Sequence, residues 1–63
     1  MKNDIWVFYT DDSDFAFTVD ADNSVVAYDM AYDYYGPQVE NMMYQTYQFC
    51  PLRVKNILRD NGL

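Results

Sequence analysis

The 63-residue chain contains no histidine, one cysteine, two glycines and two prolines. Without histidine the chain cannot form a Ser-His or Cys-His catalytic pair, and a structural zinc site would lack its usual nitrogen ligand. The single cysteine, Cys50, excludes an internal disulfide, and two glycines are too few for a glycine-rich phosphate loop. We therefore expect no enzymatic activity, no cofactor and no bound metal.

Basic residues are also scarce over most of the chain. Between Lys2 and Arg53 there is no lysine or arginine, whereas nine acids fall there, and the net charge is −6. The last thirteen residues reverse the sign, with Arg53, Lys55 and Arg59 against Asp60. A base-free span projects a negative field, which disfavours nucleic acid or an anionic membrane as a direct partner and favours a basic protein. Acidity that serves only solubility is the alternative.

The length indicates one small domain, spanning residues 1–63. A domain of this size buries only about 60% of the surface that its unfolded chain exposes, so aromatic packing or a partner must supply stability. No apolar run approaches the roughly 20 residues of a membrane span, and the N-terminal MKNDIWVFY lacks the features of a signal peptide. A lone free cysteine fits a reducing compartment, so we expect a cytoplasmic protein, with Cys50 buried as a small hydrophobe.

The first 19 residues predict a β-hairpin. Residues 4–10 are rich in strand formers and have apolar side chains on both faces, which is typical of a central strand covered from both sides. Its two faces are Ile5, Val7 and Tyr9 against Trp6 and Phe8. Asp11–Asp14 predicts a turn, and Phe15–Val19 alternates again as a second strand.

The stretch Val25–Tyr35, VVAYDMAYDYY, combines four tyrosines with two aspartates and permits two interpretations. We favour a strand over residues 25 to about 32, because the preceding turn is short and valine and tyrosine suit a pleated surface. A helix with Asn23 or Ser24 as N-cap remains open, with the two aspartates one turn apart. Both interpretations place an aromatic surface beside a row of carboxylates.

The C-terminal part predicts two short helices. Apolar residues recur at helical spacing between Gln38 and Phe49, and Pro51 ends this helix. Leu52–Asn61 is the second helix, and Gly62 is its stop signal. Its inward residues are Val54, Ile57 and Leu58. The element order predicts an α+β domain, in which a three-stranded antiparallel meander packs against two C-terminal helices.

One acidic segment begins like a calcium-binding loop. Asp20 to Ser24 has the right opening, but Val25 stands where the loop needs glycine and Ala31 where it needs glutamate. We therefore interpret this segment as a solvated turn.

The seven tyrosines exceed what so small a core can bury. We expect Tyr9 and Tyr47 in the core, and at least two tyrosines between residues 28 and 35 at the surface. Exposed tyrosine suits a binding interface, because its large rigid ring is ordered at low entropic cost. The predicted partner-binding residues are Asp11, Asp12, Asp14, Asp20, Asp22, Asp29, Tyr32, Asp33, Tyr34 and Tyr35.

In composition, this chain resembles the DNA-mimic inhibitors encoded by bacteriophages, which include anti-CRISPR proteins. The shared features are short length, strong acidity, few bases and many aromatic residues. Beside the tyrosines, the residues that carry the resemblance are Asp4, Asp11, Asp12, Asp14, Asp20, Asp22, Asp29, Asp33 and Glu40. The basic segment from Arg53 to Arg59 departs from that pattern.

The resemblance implies an inhibitor that occupies the cleft of a basic, nucleic-acid-binding host protein, such as a CRISPR effector or another nuclease, in the host cytoplasm. Carboxylates two residues apart on a strand lie about 6.6 Å apart and would replace phosphates. The alternative from another class is a structural or regulatory module that forms a homodimer through its tyrosine-rich face.

Overall fold

Three strands and two α-helices make up the described part of the chain, residues 4–60 of a computed structural model. In chain order the elements are β1 (Asp4–Tyr9), β2 (Ala16–Ala21), α1 (Ser24–Tyr35), a first 3₁₀ helix (Pro37–Asn41), β3 (Met43–Thr46), a second 3₁₀ helix (Tyr47–Phe49) and α2 (Leu52–Asp60).

The sheet has the order β2-β1-β3, and both strand pairs are antiparallel. The α+β class with a three-stranded antiparallel sheet and two helices is therefore confirmed. The connectivity differs from the predicted meander, because the third strand pairs with β1 instead of β2 and α1 precedes it in the chain. The predicted hairpin of β1 and β2 is present, and β1 is the central strand.

Residues 24–35 form α1, so the strand favoured for residues 25 to about 32 is wrong. Asn23 supplies the N-cap, because its side-chain oxygen accepts a hydrogen bond from the Val26 N–H at 3.0 Å. This cap satisfies one of the backbone donors that a helix start leaves free. The open helical alternative, with Asn23 as the cap, is the correct one.

Small residues let α1 lie close against the sheet. Ala27 and Ala31 have no exposed surface, and they follow one another by one helical turn. Gly36 ends the helix with a φ of 97°, a value that favours glycine, and its N–H donates to the Tyr32 carbonyl oxygen at 2.8 Å.

The single helix predicted between Gln38 and Phe49 is also wrong. This segment forms β3 with a 3₁₀ helix on each side. β3 pairs with the edge of β1 that β2 leaves open, with Phe8 opposite Tyr44 and Tyr9 opposite Met43. The helical spacing of apolar residues was misleading. The backbone N–H and C=O groups on that edge of β1 need hydrogen-bond partners, and the residues that supply them are far away in sequence.

The sheet carries a separate core on each face. The α1-side core contains Phe8, Phe17, Ala21, Ala27, Ala31 and Val39. The α2-side core contains Val7, Tyr9, Ala16, Cys50, Val54 and Leu58. Neighbours in β1 contribute to opposite cores, because successive strand residues point to opposite faces.

Aromatic rings cross the α1-side core. Phe8 on the central strand stacks on Phe17 at 5.4 Å and on Tyr44 at 5.0 Å between ring centroids. These three residues are register neighbours on β2, β1 and β3. Tyr28 of α1 contacts Tyr44 at 6.0 Å and so ties the helix to the far strand. Such ring pairs stabilise a small core beyond the area that they bury.

The predicted C-terminal helix is confirmed as α2, residues 52–60. Val54 and Leu58 are buried, and Ile57 packs partly against them, so all three inward residues are placed as expected. The predicted stop at Gly62 lies outside the described residues. Within residues 4–60, no helix is long and apolar enough to cross a membrane.

Replacing Ala31 by leucine should destabilise the domain by about 1–3 kcal/mol, because the added atoms would be forced into the contact between α1 and the sheet. The matched control is Val25→Leu on the same helix, where the side chain is 76% exposed. That change should alter stability by less than about 0.5 kcal/mol. Urea unfolding followed by circular dichroism measures both, and equal midpoints would contradict close packing of α1.

Candidate partner-binding surface

All ten residues predicted to bind a partner are exposed to solvent. They fall in three groups: Asp11, Asp12 and Asp14 in the β1–β2 turn, Asp20 and Asp22 at the end of β2 and just after it, and Asp29, Tyr32, Asp33, Tyr34 and Tyr35 on α1. Asp14 and Asp20 are six residues apart in sequence, which corresponds to about 20 Å of extended chain. The carboxylates therefore form separate groups at the two ends of β2 and on α1, and do not form one continuous row.

The β1–β2 turn is held by its own polar side chains. The Thr10 hydroxyl donates to the Asp12 carboxylate at 2.9 Å, and the Asp14 N–H donates to the same carboxylate at 3.2 Å. These hydrogen bonds, the one from Thr10 above all, lower the pKa of Asp12. Ser13 adopts a φ of 62°, which a tight turn of this kind tolerates.

A positive charge reaches this turn from α2. The Arg53 Nε donates to the Ser13 hydroxyl oxygen at 2.7 Å, across 40 residues of sequence. Asp12 stabilises the turn, and Arg53 offsets part of its negative field. The turn is thus the group least suited to attract a cationic partner.

The remaining aspartates lie at the other end of β2 and on the outside of α1. Asp20 is paired in the sheet with the apolar Ile5, and Asp22 directly precedes the N-cap residue of α1. Asp29 and Asp33 are one turn apart on α1, which corresponds to about 6 Å along the helix axis. In a strand, two residues four apart would lie about 13 Å apart, so the helix brings these two charges to about half that distance.

The tyrosines differ in how far they are engaged within the chain. The Tyr32 hydroxyl donates to the Glu40 carboxylate at 3.3 Å, and Tyr35 stacks on Phe15 at 5.3 Å. Tyr34 is 75% exposed and is the most open of the group. The expectation of at least two exposed tyrosines between residues 28 and 35 is therefore confirmed.

The two tyrosines expected in the core behave differently. Tyr9 is buried, as predicted. Tyr47 is exposed, so that prediction is wrong: it lies in the second 3₁₀ helix, where the Lys55 ammonium sits 5.2 Å from the centre of its ring. A cation over an aromatic face is a favourable surface contact.

The described basic residues all belong to α2, on the face of the sheet opposite α1. They are Arg53, Lys55 and Arg59. α1 contains two aspartates and no base. The acidic, tyrosine-bearing helix and the basic helix therefore lie on opposite faces of the sheet, although Asp20, which pairs with Ile5, has its side chain on the α2 face.

A groove runs along the outer edge of β2, with a volume of about 850 Å³. Its lining includes every residue from Asp14 to Val19, together with Met30 and Tyr34 of α1 and Leu58 of α2. Thr18 and Met30 were absent from the predicted surface. The hairpin pattern could have suggested Thr18, whereas Met30 required knowing that residues 24–35 are helical.

Cys50 is buried in the α2-side core, as expected for a structural cysteine. Burial raises the pKa of its thiol, and the nearby Lys55 only partly opposes this effect. Within residues 4–60, no three side chains of the metal-binding types are grouped to hold an ion.

Comparison with protein-family models, with curated proteins and with solved structures finds no match for this chain. Its function is therefore argued from the chemistry of this surface.

The contact between Tyr32 and Glu40 gives a titration test. Partial burial, and to a lesser extent the Glu40 charge, raise the pKa of Tyr32, so the folded state favours its neutral phenol. The contribution of this phenol to folding stability is therefore lost as the pH rises through the raised pKa. Glu40→Gln should lower the Tyr32 pKa while leaving it above its ordinary value, because burial remains. Carbon-13 NMR of the Tyr32 ring between pH 8 and 12 measures this.

The matched control is Asp33→Asn, which removes the same charge next to Tyr32 in sequence without breaking the hydrogen bond to Glu40. It should leave the Tyr32 pKa nearly unchanged. An equal shift in the two variants would mean that Glu40 has no specific effect on this phenol.

Proposed function

We propose that this chain is a small acidic inhibitor that binds a basic, nucleic-acid-binding surface of a partner protein and blocks access of nucleic acid to it. The observation that carries the proposal is that an acidic helix and a basic helix lie on opposite faces of the sheet. Asp29 and Asp33 face solvent on the α1 side, Asp20 and Asp22 lie exposed at the end of β2, and the described bases lie on α2.

The binding chemistry follows from these side chains. Exposed carboxylates about 6 Å apart on α1 would pair with arginine or lysine side chains that otherwise hold successive phosphates. The open Tyr34 ring adds a flat surface on which a guanidinium can stack. Such an electrostatic contact forms quickly and weakens with salt.

The compositional resemblance to phage-encoded DNA-mimic inhibitors supplies the partner class. Under this proposal the partner is a host nuclease, such as a CRISPR effector, and the inhibitor acts in the host cytoplasm. Inhibition would be steric, since the proposal requires no chemistry from the inhibitor.

Self-association through the tyrosines is less well supported. Two of the three exposed tyrosines on α1 are engaged internally, Tyr32 with Glu40 and Tyr35 with Phe15 and Phe17. Tyr34 alone leaves most of its ring open. One open ring on an acidic helix makes a poor homodimer face, because the second copy would present the same negative charges.

The decisive experiment compares partner capture by two variants of equal net charge. Asp29→Asn/Asp33→Asn should weaken capture by up to about thirtyfold, because each of the two lost charge pairs contributes up to about 1 kcal/mol. Asp4→Asn/Asp60→Asn should retain it, because Asp4 begins β1 and Asp60 ends α2, so neither carboxylate belongs to α1. The measurement is retention of the heparin-binding protein fraction of a bacterial lysate on the immobilised chain.

A competitor and a salt series complete this test. Duplex DNA should displace the captured protein, and retention should fall between 0.1 and 0.5 M salt, over which the screening length shortens from about 10 Å to about 4 Å. Capture that duplex DNA leaves intact would contradict the proposal, as would equal losses in the two double variants.

A further inference from the structure

The outer edge of β2 offers unpaired backbone groups. The Thr10 N–H donates to the Phe15 carbonyl oxygen at 3.0 Å, which fixes the hydrogen-bonding phase of the antiparallel pair. Bonded and non-bonded pairs alternate along such a ladder, so Phe17 and Val19 bond to β1, whereas Ala16, Thr18 and Asp20 direct their N–H and C=O groups away from it. Within residues 4–60 no strand covers this edge.

The groove over this edge has the shape of a strand-binding site. Because consecutive residues from Asp14 to Val19 all line it, the groove follows the strand edge itself and does not lie over one face. Met30 and Tyr34, which are 42% and 75% exposed, form the α1 wall. Leu58 lines it from the α2 side. An added strand would meet apolar side chains beside free backbone groups.

The other edge of the sheet is less accessible. β3 has only four residues and is bounded by 3₁₀ helices. By the same alternation, Tyr44 and Thr46 point outward there, and the Thr46 N–H is already bonded to the Gln45 side-chain oxygen at 3.3 Å. β2 has six residues without lysine or proline, the residues that usually protect an edge strand.

Charge argues against a second copy of this chain as the occupant. An antiparallel pairing of two β2 strands centred on Thr18 would align Asp14 with Asp22 of the other copy. A shift that brings Ala16 opposite Thr18 would align Asp14 with Asp20. Like charges directly opposite one another destabilise a strand pair, and each copy carries a net charge of −6.

We propose that β2 accepts an extended, lysine- or arginine-bearing segment of the partner as a fourth strand. The segment's backbone pairs with Ala16, Thr18 and Asp20, and its alternate apolar side chains face Met30 and Tyr34. Its basic side chains lie on the other face of the sheet, which α2 also covers, where they pair with the exposed Asp20 carboxylate of β2 itself. Main-chain hydrogen bonds supply affinity and the alternating pockets supply specificity. This inference rests on the proposed function and adds how the basic partner is held.

The test uses a nine-residue peptide of alternating lysine and valine as the probe, with an alternating glutamate–valine peptide as control. Thr18→Pro removes an outward N–H without removing a bond to β1, and edge strands tolerate proline. It should weaken binding of the lysine peptide about tenfold, the effect of losing one or two hydrogen bonds. Thr18→Val keeps that N–H and should bind like the original chain. Fluorescence anisotropy measures both.

Hydrogen exchange on the unchanged chain gives a second readout that does not depend on the folding of Thr18→Pro. The amides of Ala16, Thr18 and Asp20 should exchange quickly in the free chain and slowly with the lysine peptide, whereas Phe17 and Val19 should be protected throughout. No binding of the lysine peptide, protection only elsewhere, or equal binding of the glutamate peptide would overturn the inference. Protection that rises with protein concentration alone would identify a second copy as the occupant and would also overturn it.

The two proposals fail separately. If Thr18→Pro captures the heparin-binding fraction as well as the original chain does, while Asp29→Asn/Asp33→Asn does not, the inhibitor function stands and the strand-addition inference falls. If the lysine peptide binds at β2 but duplex DNA never competes for the captured protein, the docking mode stands and the blocking of nucleic acid falls.

Discussion

The burial of β1 on both of its faces is the constraint on which the rest of this structure depends. Val7 and Phe8 have no exposed surface, yet they belong to different cores. A 63-residue chain therefore maintains two small cores back to back, and each core is closed by one helix. Every other element is placed by the need to cover a face of this strand or to pair with one of its edges, because exposed apolar area and unpaired backbone groups are both unfavourable.

The elements that were predicted correctly are those whose apolar pattern fits only one type of secondary structure. Residues 4–10 are apolar on both faces and so require a central, covered strand, and the amphipathic pattern of residues 52–60 leaves one helix face to bury. For α1 the helix stayed only an alternative to a strand, because its tyrosines are spread around the helix, while the residues that determine its packing, Ala27 and Ala31, contribute little to an apolar pattern. β3 was missed because its pairing with β1 spans more than 30 residues, and no local pattern reveals such a requirement.

The exposure of the predicted residues was easier to infer than their arrangement. Charged residues face water in nearly any small structure, so the exposure of the seven predicted aspartates followed from their type, and that of the three tyrosines from the small size of the core. Their grouping did not follow. Arg53 lies 40 residues from Ser13 and still contacts the turn, which sets Asp11, Asp12 and Asp14 apart from the aspartates near α1. The groove along β2 is lined by residues of both helices, so it could not be predicted without knowing the strand order and the positions of the helices.

The strand order β2-β1-β3 determines which edges of this sheet can pair with a further strand. After β2 the chain returns along α1, passes around the β3 side and ends in α2, so later elements leave the outer side of β2 uncovered within residues 4–60. The opposite margin is short and locally bonded. If β2 accepts a strand as proposed, each chain offers one such edge, since its β3 margin is a poor template. Copies of this chain that paired through β2 would stop at two, because only their β3 margins would then face outward, so a fibre of stacked copies could not grow from this sheet.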